Sequence, residues 1–464
     1  MLTELRIQNF KAWQDTGTMH LAPLTVIFGT NSSGKSSLGH LLMALKQTAM
    51  LADHKRSLHL GDSNSLIDLG TYEDCIYGRE VDRSIQFDLR WQLERSLTIK
   101  NILNASQTYQ GRELALHAEI EPNRMLQPET HRFEYSLCKG QEETLRVSHG
   151  REGSKAWLKC EPLKLVRAQG RGWPVEPPEK FYRFSDRTLS RYQNADFLAQ
   201  FVLQTEHLLE NFYHLGPLRS HPQRVYSWSG DMPSNVGAQG ELTIPAILAA
   251  SEQGRKLNRG PGKKRQRFDA FIAGWLAELG IIHKFDVQPI APNRKEYEVL
   301  IQTHIGTPWV KLTDVGFGIS QVLPALVQAF YTPPGSVLWM EQPEIHLHPR
   351  VQANLADVFI SAIQAREDGE NRNTQLIIES HSEHFLNRLQ RRVAEGEVMP
   401  DDVSIYFVSR KSGAAHIEPL QLNEFGDIEN WPDDFFGDDM EDITQRALAA
   451  ARKRKARKAQ GADA

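Results

Sequence analysis

The chain has 464 residues, 24% charged and 40% hydrophobic, with a formal net charge of -4. That length suits two or three packed subdomains of ordinary composition, and the charge excludes any global pull toward nucleic acid or anionic membrane. No apolar run approaches the roughly 20 residues that span a bilayer, and three cysteines without CxxC spacing read as reduced thiols of a cytoplasmic protein.

The N-terminal MLTELRIQNFKAW lacks an apolar signal core and reads as part of the fold. Its alternating LTELRIQNF and the apolar LTVIFG predict two strands. GTNSSGKSS follows, fitting G-x-x-x-x-G-K-[ST] from Gly29 through Gly34 and Lys35 to Ser36. Glycines let backbone wrap around phosphates, and amides at a helix start face the anion. Asn31, Ser32, Ser33 and Ser37 complete the predicted nucleotide cradle. Lys35 supplies charge to the β- and γ-phosphates, and Ser36 offers its hydroxyl to Mg²⁺. The next stretch predicts a helix with Leu38, Leu41, Leu42 and Leu45 on one face.

Between about 80 and 170, alternating runs such as SIQFDLRW and HRFEYSLC predict an antiparallel β-rich arm rather than a coiled coil. A helix follows from Ala195 to Phe212. The stretch RKLNRGPGKKRQRF, Arg255 to Phe268, reads as a basic loop able to meet phosphates or to stay solvated. Helical FDAFIAGWLAELG, a mixed strand region and the glycine segment DVGFGISQVLP come next. There Gly316 and Gly318 free the backbone, and Ser320 is placed to cap a helix running to Phe330.

Val337 to Met340 predict a buried strand ending in Glu341, as a Mg²⁺-ordering strand should. Gln342 follows where a water-polarising glutamate is expected. An amide is a very weak base, and losing a positioned base costs about 10² to 10⁴ in rate. Glu344 is the reserve for that base. TQLIIESHSEHF predicts a strand reaching His381, a residue able to sense a γ-phosphate. Glu344, His346 and His348 are a weaker metal reading, because Pro343 and Pro349 bracket them as a turn. The chain closes with acidic, aromatic WPDDFFGDDMED and basic RKRKARK, Arg452 to Lys458.

With GTNSSGKSS, LGTYED, GPLR, DVGFGISQVLP, EQPEIHLHP, ESHSEH and WPDDFF in this order, the chain resembles the SMC/ABC-like ATPases of bacteria. That group includes RecF and the overcoming-lysogenization-defect proteins, and the nearest resemblance is to stand-alone ATPases with a C-terminal cap. The resemblance implies an α/β fold: an ABC-type head with a mixed sheet, a β-rich arm and a helical lobe. The expected division is 1–80 for the P-loop lobe, 81–215 for the arm and connecting helix, 216–330 for the helical lobe, 331–430 for the C-terminal ATPase lobe and 431–464 for cap and tail.

By matching position, Lys35 and Ser36 bind ATP and Mg²⁺, and Glu341 stands for the Walker B acid. Gly318 and Ser320 stand for the signature that contacts ATP across a dimer, and His381 for the switch histidine. The Glu341–Gln342 pair departs from the usual Asp-Glu and implies slow turnover. Relatives often act in antiphage defence beside a nuclease or toxin. The expectation is therefore an ATP-dependent dimer, or larger even-numbered homo-oligomer, controlling such a partner. The alternative is a RecF-like DNA clamp using Arg255 to Arg267 and the basic tail. A transporter motor suits neither the arm nor the cap.

Overall fold

The computed structural model describes residues 1–432, apart from 103, 105, 106, 170, 171, 317 and 412. The acidic stretch from 433 onward and the basic tail lie outside the described residues.

A six-stranded sheet organises the site. Its order is Phe212–Leu215, Val337–Glu341, Gln375–Glu379, Leu24–Gly29, Val403–Lys411, Ala414–Leu420. The first five run parallel, and the last folds back antiparallel. Central parallel strands are buried on both faces, so alternate residues enter different cores. Ile27, Trp339 and Ile377 join one apolar cluster. Val26, Phe28, Leu338, Met340 and Ile378 join the other.

The first cluster lies beneath an antiparallel sheet in which Leu2–Phe10 pairs with Ile85–Lys100. Thr108–Pro122, Pro128–Lys139, Glu142–Glu152 and Lys155–Glu161 extend that sheet as a meander. The predicted antiparallel β-rich segment is therefore present. Its alternating pattern creates one apolar face, and Phe87, Leu116, Phe133, Tyr135 and Val147 on that face are buried with Leu41 and Leu45 of the P-loop helix Lys35–Met50. Each such burial contributes roughly 1.5–3 kcal/mol.

On the other face of the parallel sheet pack the helices Thr243–Glu252, Phe268–Glu278, Gly318–Tyr331, Pro349–Gln364 and Glu383–Ala394. The helix starting at Gly318 places Ser320 inside its first turn, not at the cap as the sequence suggested. Arg255 to Arg267 is likewise not an open loop. Lys256–Asn258 and Gln266–Arg267 form a hairpin, with the first strand also paired to Arg366–Glu367.

Candidate active site

Parallel order brings three strand ends together. Register sets Glu341 beside Glu379, and Glu379 beside Ile27, just before the loop at Gly29. Ligands of open α/β sheets bind at such carboxyl edges.

The loop itself is built by close approach. A Cβ on Gly29, at φ +145, would lie 2.1 Å from the Val408 carbonyl oxygen. Gly34 caps the P-loop helix at φ 110, and a Cβ there would lie 3.0 Å from that of Ala12. Ser32, between them, also has positive φ. Lys35 Nζ donates to the carbonyls of Gly29 at 2.9 Å and Thr30 at 2.8 Å. Burial lowers its pKa, against the charges of Glu379 and Glu344. Ser37 Oγ accepts from Trp13 Nε1 at 2.9 Å and donates to the Gly34 carbonyl, anchoring the helix start. Ser33 Oγ is buried without a partner. Asn31 is exposed on the loop.

Beside the loop stand two carboxylates. Glu341 Oε1 accepts from His214 Nε2 at 2.7 Å. Burial opposes its ionisation, but the His214 hydrogen bond and charge, then Ser36 and His40, hold its pKa below the usual carboxylate range. Glu379 is 2% exposed. Its Oε2 accepts from Ser36 Oγ at 2.8 Å and its Oε1 from Trp339 Nε1 at 2.7 Å. Burial first, then the like charge of Glu341, pushes its pKa up to about 8. Two acids flanking one hydroxyl are hard oxygen donors suited to Mg²⁺. With the glycine cradle and Lys35, they fit a magnesium-bound nucleotide.

Behind this pair, Glu344 ties the turn to the switch segment. Its Oε1 accepts from Ser380 Oγ at 2.9 Å and from the His381 amide at 2.7 Å, while its Oε2 is buried and unpartnered. Burial raises its pKa. Arg219, from GPLR, donates through Nη2 to the Glu341 carbonyl at 3.2 Å, with Nε and Nη1 buried and unpartnered. Burial pulls its pKa down to about 10, still charged at neutral pH, against the attraction of Glu341 and Glu344. His381 lies two residues beyond the strand end at Glu379. Burial and the Lys35 charge take its pKa down to about 4, so it meets the site as neutral imidazole. Gln342 adopts φ 44, a left-handed conformation that non-glycine residues hold at some cost, and its amide donates to the Glu379 carbonyl at 2.8 Å.

Lys35, Ser36, Glu341 and His381 thus converge with Glu344. Gly318 and Ser320 stand apart on their helix start. A Cβ on Gly318 would lie 3.5 Å from Leu347, and Ser320 is 7% exposed in a small cavity with Ser220 and Glu241. Glu379 and Arg219 lie within the ESHSEH and GPLR motifs, but the sequence alone assigned Glu379 no role and did not single out His214 or Trp339. A carboxylate at a strand end, one residue before Ser-His, was the legible signal. Among the described residues, no three His, Cys, Asp or Glu side chains form a metal group, so the Glu344–His346–His348 reading does not stand. His348 instead accepts from the Arg350 amide at 3.3 Å, capping its helix.

In the basic hairpin three arginines are paired within the chain, whereas Lys256, Lys263, Lys264 and Arg265 are exposed. Arg255 binds Glu367 at 2.5 and 2.9 Å and the Tyr331 carbonyl at 2.8 Å. Arg259 binds Glu278 at 2.5 Å and lies 3.8 Å over the Trp275 ring, and Arg267 binds Asp269 at 3.1 Å. No helix among the described residues is long and apolar enough to cross a membrane.

Three family models match parts of the chain. Residues 1–156 match an AAA ATPase domain, and residues 245–387 match an "AAA domain, putative AbiEii toxin, Type IV TA system". Residues 398–445 match a family of unknown function, DUF3696. No curated protein matches. Among solved structures, the SMC head bound to the C-winged helix domain of ScpA is 11% identical with TM-score 0.42, over 91% of this chain and 98% of that one. The SMC head domain from Thermotoga maritima is 11% identical with TM-score 0.38, over 90% and 99%. An SMC head with extended coiled coil, bound to the C-terminal domain of ScpA from Pyrococcus furiosus, is 11% identical with TM-score 0.40, over 91% and 96%. The phosphate loop and the two ATPase-domain matches together make this chain a P-loop ATPase.

Proposed function

We propose that the chain is an SMC/ABC-like, ATP-gated dimerisation switch with slow hydrolysis. Mg²⁺-ATP sits in the Gly29–Ser37 loop of one copy and meets the helix start at Gly318–Ser320 of a second. The carrying observation is the Lys35 ammonium, buried on the loop's own carbonyls of Gly29 and Thr30, where an arriving triphosphate offers it stronger anionic partners. Gln342 following Glu341 supports slow turnover, because an amide orients water but scarcely accepts its proton. Low exposure of Ser320 favours contact through the backbone amides of that helix turn over its hydroxyl.

If ATP binds about a thousandfold below its cellular concentration, occupancy stabilises the bound state by about 4 kcal/mol. Slow hydrolysis makes that state long-lived. A regulatory role in antiphage defence, with a nuclease or toxin as the controlled partner, follows from the motif resemblance, and the second ATPase match carries a toxin–antitoxin description. Arg255, Arg259 and Arg267 are engaged inside the chain, which removes part of the charge that the DNA-clamp alternative would use and leaves it Lys256, Lys263, Lys264 and Arg265.

Light scattering with and without Mg²⁺-ATP tests the reading. Wild-type mass should at least double on adding nucleotide. Lys35→Ala should bind none and stay at the lower mass, because no other group supplies that charge. Gly318→Arg should bind nucleotide without assembling. A wild-type mass indifferent to saturating ATP would rule the switch out.

A further inference from the structure

We propose that Arg219 is a positioning residue for ATP hydrolysis: its buried guanidinium braces the Glu341–Gln342 peptide and so sets where the Gln342 side chain stands. This rests on the reading that residue 342 faces the attacking water, and it gives the GPLR arginine a role inside the chain.

That peptide sits where the sheet runs out. The strand Phe212–Leu215 follows Val337–Glu341 only as far as Leu215 opposite Met340, so the Glu341 carbonyl has outrun its neighbour. On the other side, the Gln342 backbone N–H donates to the Glu379 carbonyl at 2.8 Å. A planar trans peptide points its carbonyl the opposite way, and there Arg219 Nη2 donates to the Glu341 oxygen at 3.2 Å. Both polar groups of one peptide unit are thus tied. Gln342 holds φ 44, a left-handed conformation that a flip of this peptide would relieve. A charged donor on the carbonyl opposes that flip, because such hydrogen bonds are about twice as strong as neutral ones. Burial in the GPLR turn is also inverted: Leu218 is 77% exposed and Arg219 8%, the reverse of what apolar packing would select. The turn is fixed at both ends, with the Gly216 N–H on the Ala238 carbonyl and the Ser220 N–H on the Gln239 carbonyl, each at 2.8 Å. Among the described residues, the Glu341 carbonyl is the one hydrogen-bond acceptor of the guanidinium. The acids Glu341 and Glu344 nearby offset the cost of burying its charge.

The test measures phosphate release and ATP affinity separately, on the full chain with Mg²⁺-ATP. Arg219→Met fills the same buried space without a donor; Arg219→Gln, two bonds too short for the carbonyl, takes its place should the methionine variant not fold. Either should cut turnover by about tenfold or more while ATP affinity stays within about threefold, and Arg219→Lys should keep turnover within about threefold. Gln342→Glu should raise turnover with Arg219 present and give no gain in the Arg219→Met background. Unchanged turnover in Arg219→Met, or the full Gln342→Glu gain retained there, overturns the brace. One arm needs no nucleotide. Gln342→Gly removes the cost of φ 44, so it should raise the melting midpoint more in the wild-type background than beside Arg219→Met, where the peptide has already relaxed. Equal shifts in a protein that binds ATP overturn the brace alone. No Gln342→Glu gain even with Arg219 present overturns the premise that residue 342 faces the water, and wild-type protein that binds no ATP overturns the ATP reading and this role with it.

Discussion

Gly39 sits inside the P-loop helix, where Ala would ordinarily gain about 1 kcal/mol. Here the sign should reverse. A Cβ at this position would lie 2.6 Å from Trp339 Cε2, 2.7 Å from Nε1 and 2.9 Å from Cδ2. Comfortable carbon contacts are about 3.5–4.0 Å, so the ring must retreat by about 1 Å. Trp339 is fully buried in the middle of the sheet, and its indole holds Glu379. Overpacking costs about 1–3 kcal/mol, and weakening a hydrogen bond to the neutral carboxyl up to about 0.5–1.5 kcal/mol. After the helix gain, Gly39→Ala should destabilise by about 1–3 kcal/mol. Urea denaturation followed by circular dichroism measures it, with Trp339→Phe and the double variant completing a cycle. The smaller ring leaves room, so the alanine should cost at least about 1 kcal/mol less in the Phe background. A Gly39→Ala protein as stable as wild type would refute the packing argument.

Three further outcomes are expected. Gln342→Glu should raise ATP hydrolysis by about tenfold or more, because it restores a base beside Glu341; an unchanged rate in a phosphate-release assay would move the base elsewhere, with Glu344 next in line. Glu379, with its pKa pushed up to about 8, contributes stability that is complete below the ordinary carboxylate range and is lost as pH rises through 8. His40 and His381, both at about 4, act in the opposite sense, contributing above the ordinary histidine range and losing it as pH falls. Between about pH 6.5 and 8 the Glu379 effect should therefore show, with metal-free protein losing up to about 1.4 kcal/mol per pH unit. Glu379→Gln should flatten that slope in thermal melts, and a parallel slope would contradict the assignment. Finally, Arg255→Ala should destabilise the fold by about 1–3 kcal/mol, since it removes the bonds to Glu367 and the Tyr331 carbonyl while Arg372 still pairs Glu367, without a specific loss of DNA affinity; a stable variant with weakened, salt-sensitive DNA binding would strengthen the clamp reading.

The sequence by itself determined the phosphate loop, because a P-loop is a local object. Glycines at 29 and 34, Lys35 and Ser36 act within one turn between a strand and a helix, and the strand and helix appear where their periodicity put them. It also determined the strand ending at Glu341 and the α/β class, since five-residue apolar runs alternating with amphipathic helices leave few other solutions. That Glu379 joins Glu341 beside Ser36 was not decided locally. Glu341 and Glu379 are both acids at strand ends, and only strand order, with Gln375–Glu379 inserted beside Leu24–Gly29, puts Glu379 against the hydroxyl. The same holds for the β-rich segment. Its alternation gave one apolar face, but what that face covers, the P-loop helix, was set by residues more than 40 positions away. Arg255 and its neighbours read as free charge until the fold supplied Glu367, Glu278 and Asp269 as partners. Spacing along the chain specifies what a segment can become; burial and the partner that relieves its cost are set by residues distant in sequence, and these exist only once the sheet has formed.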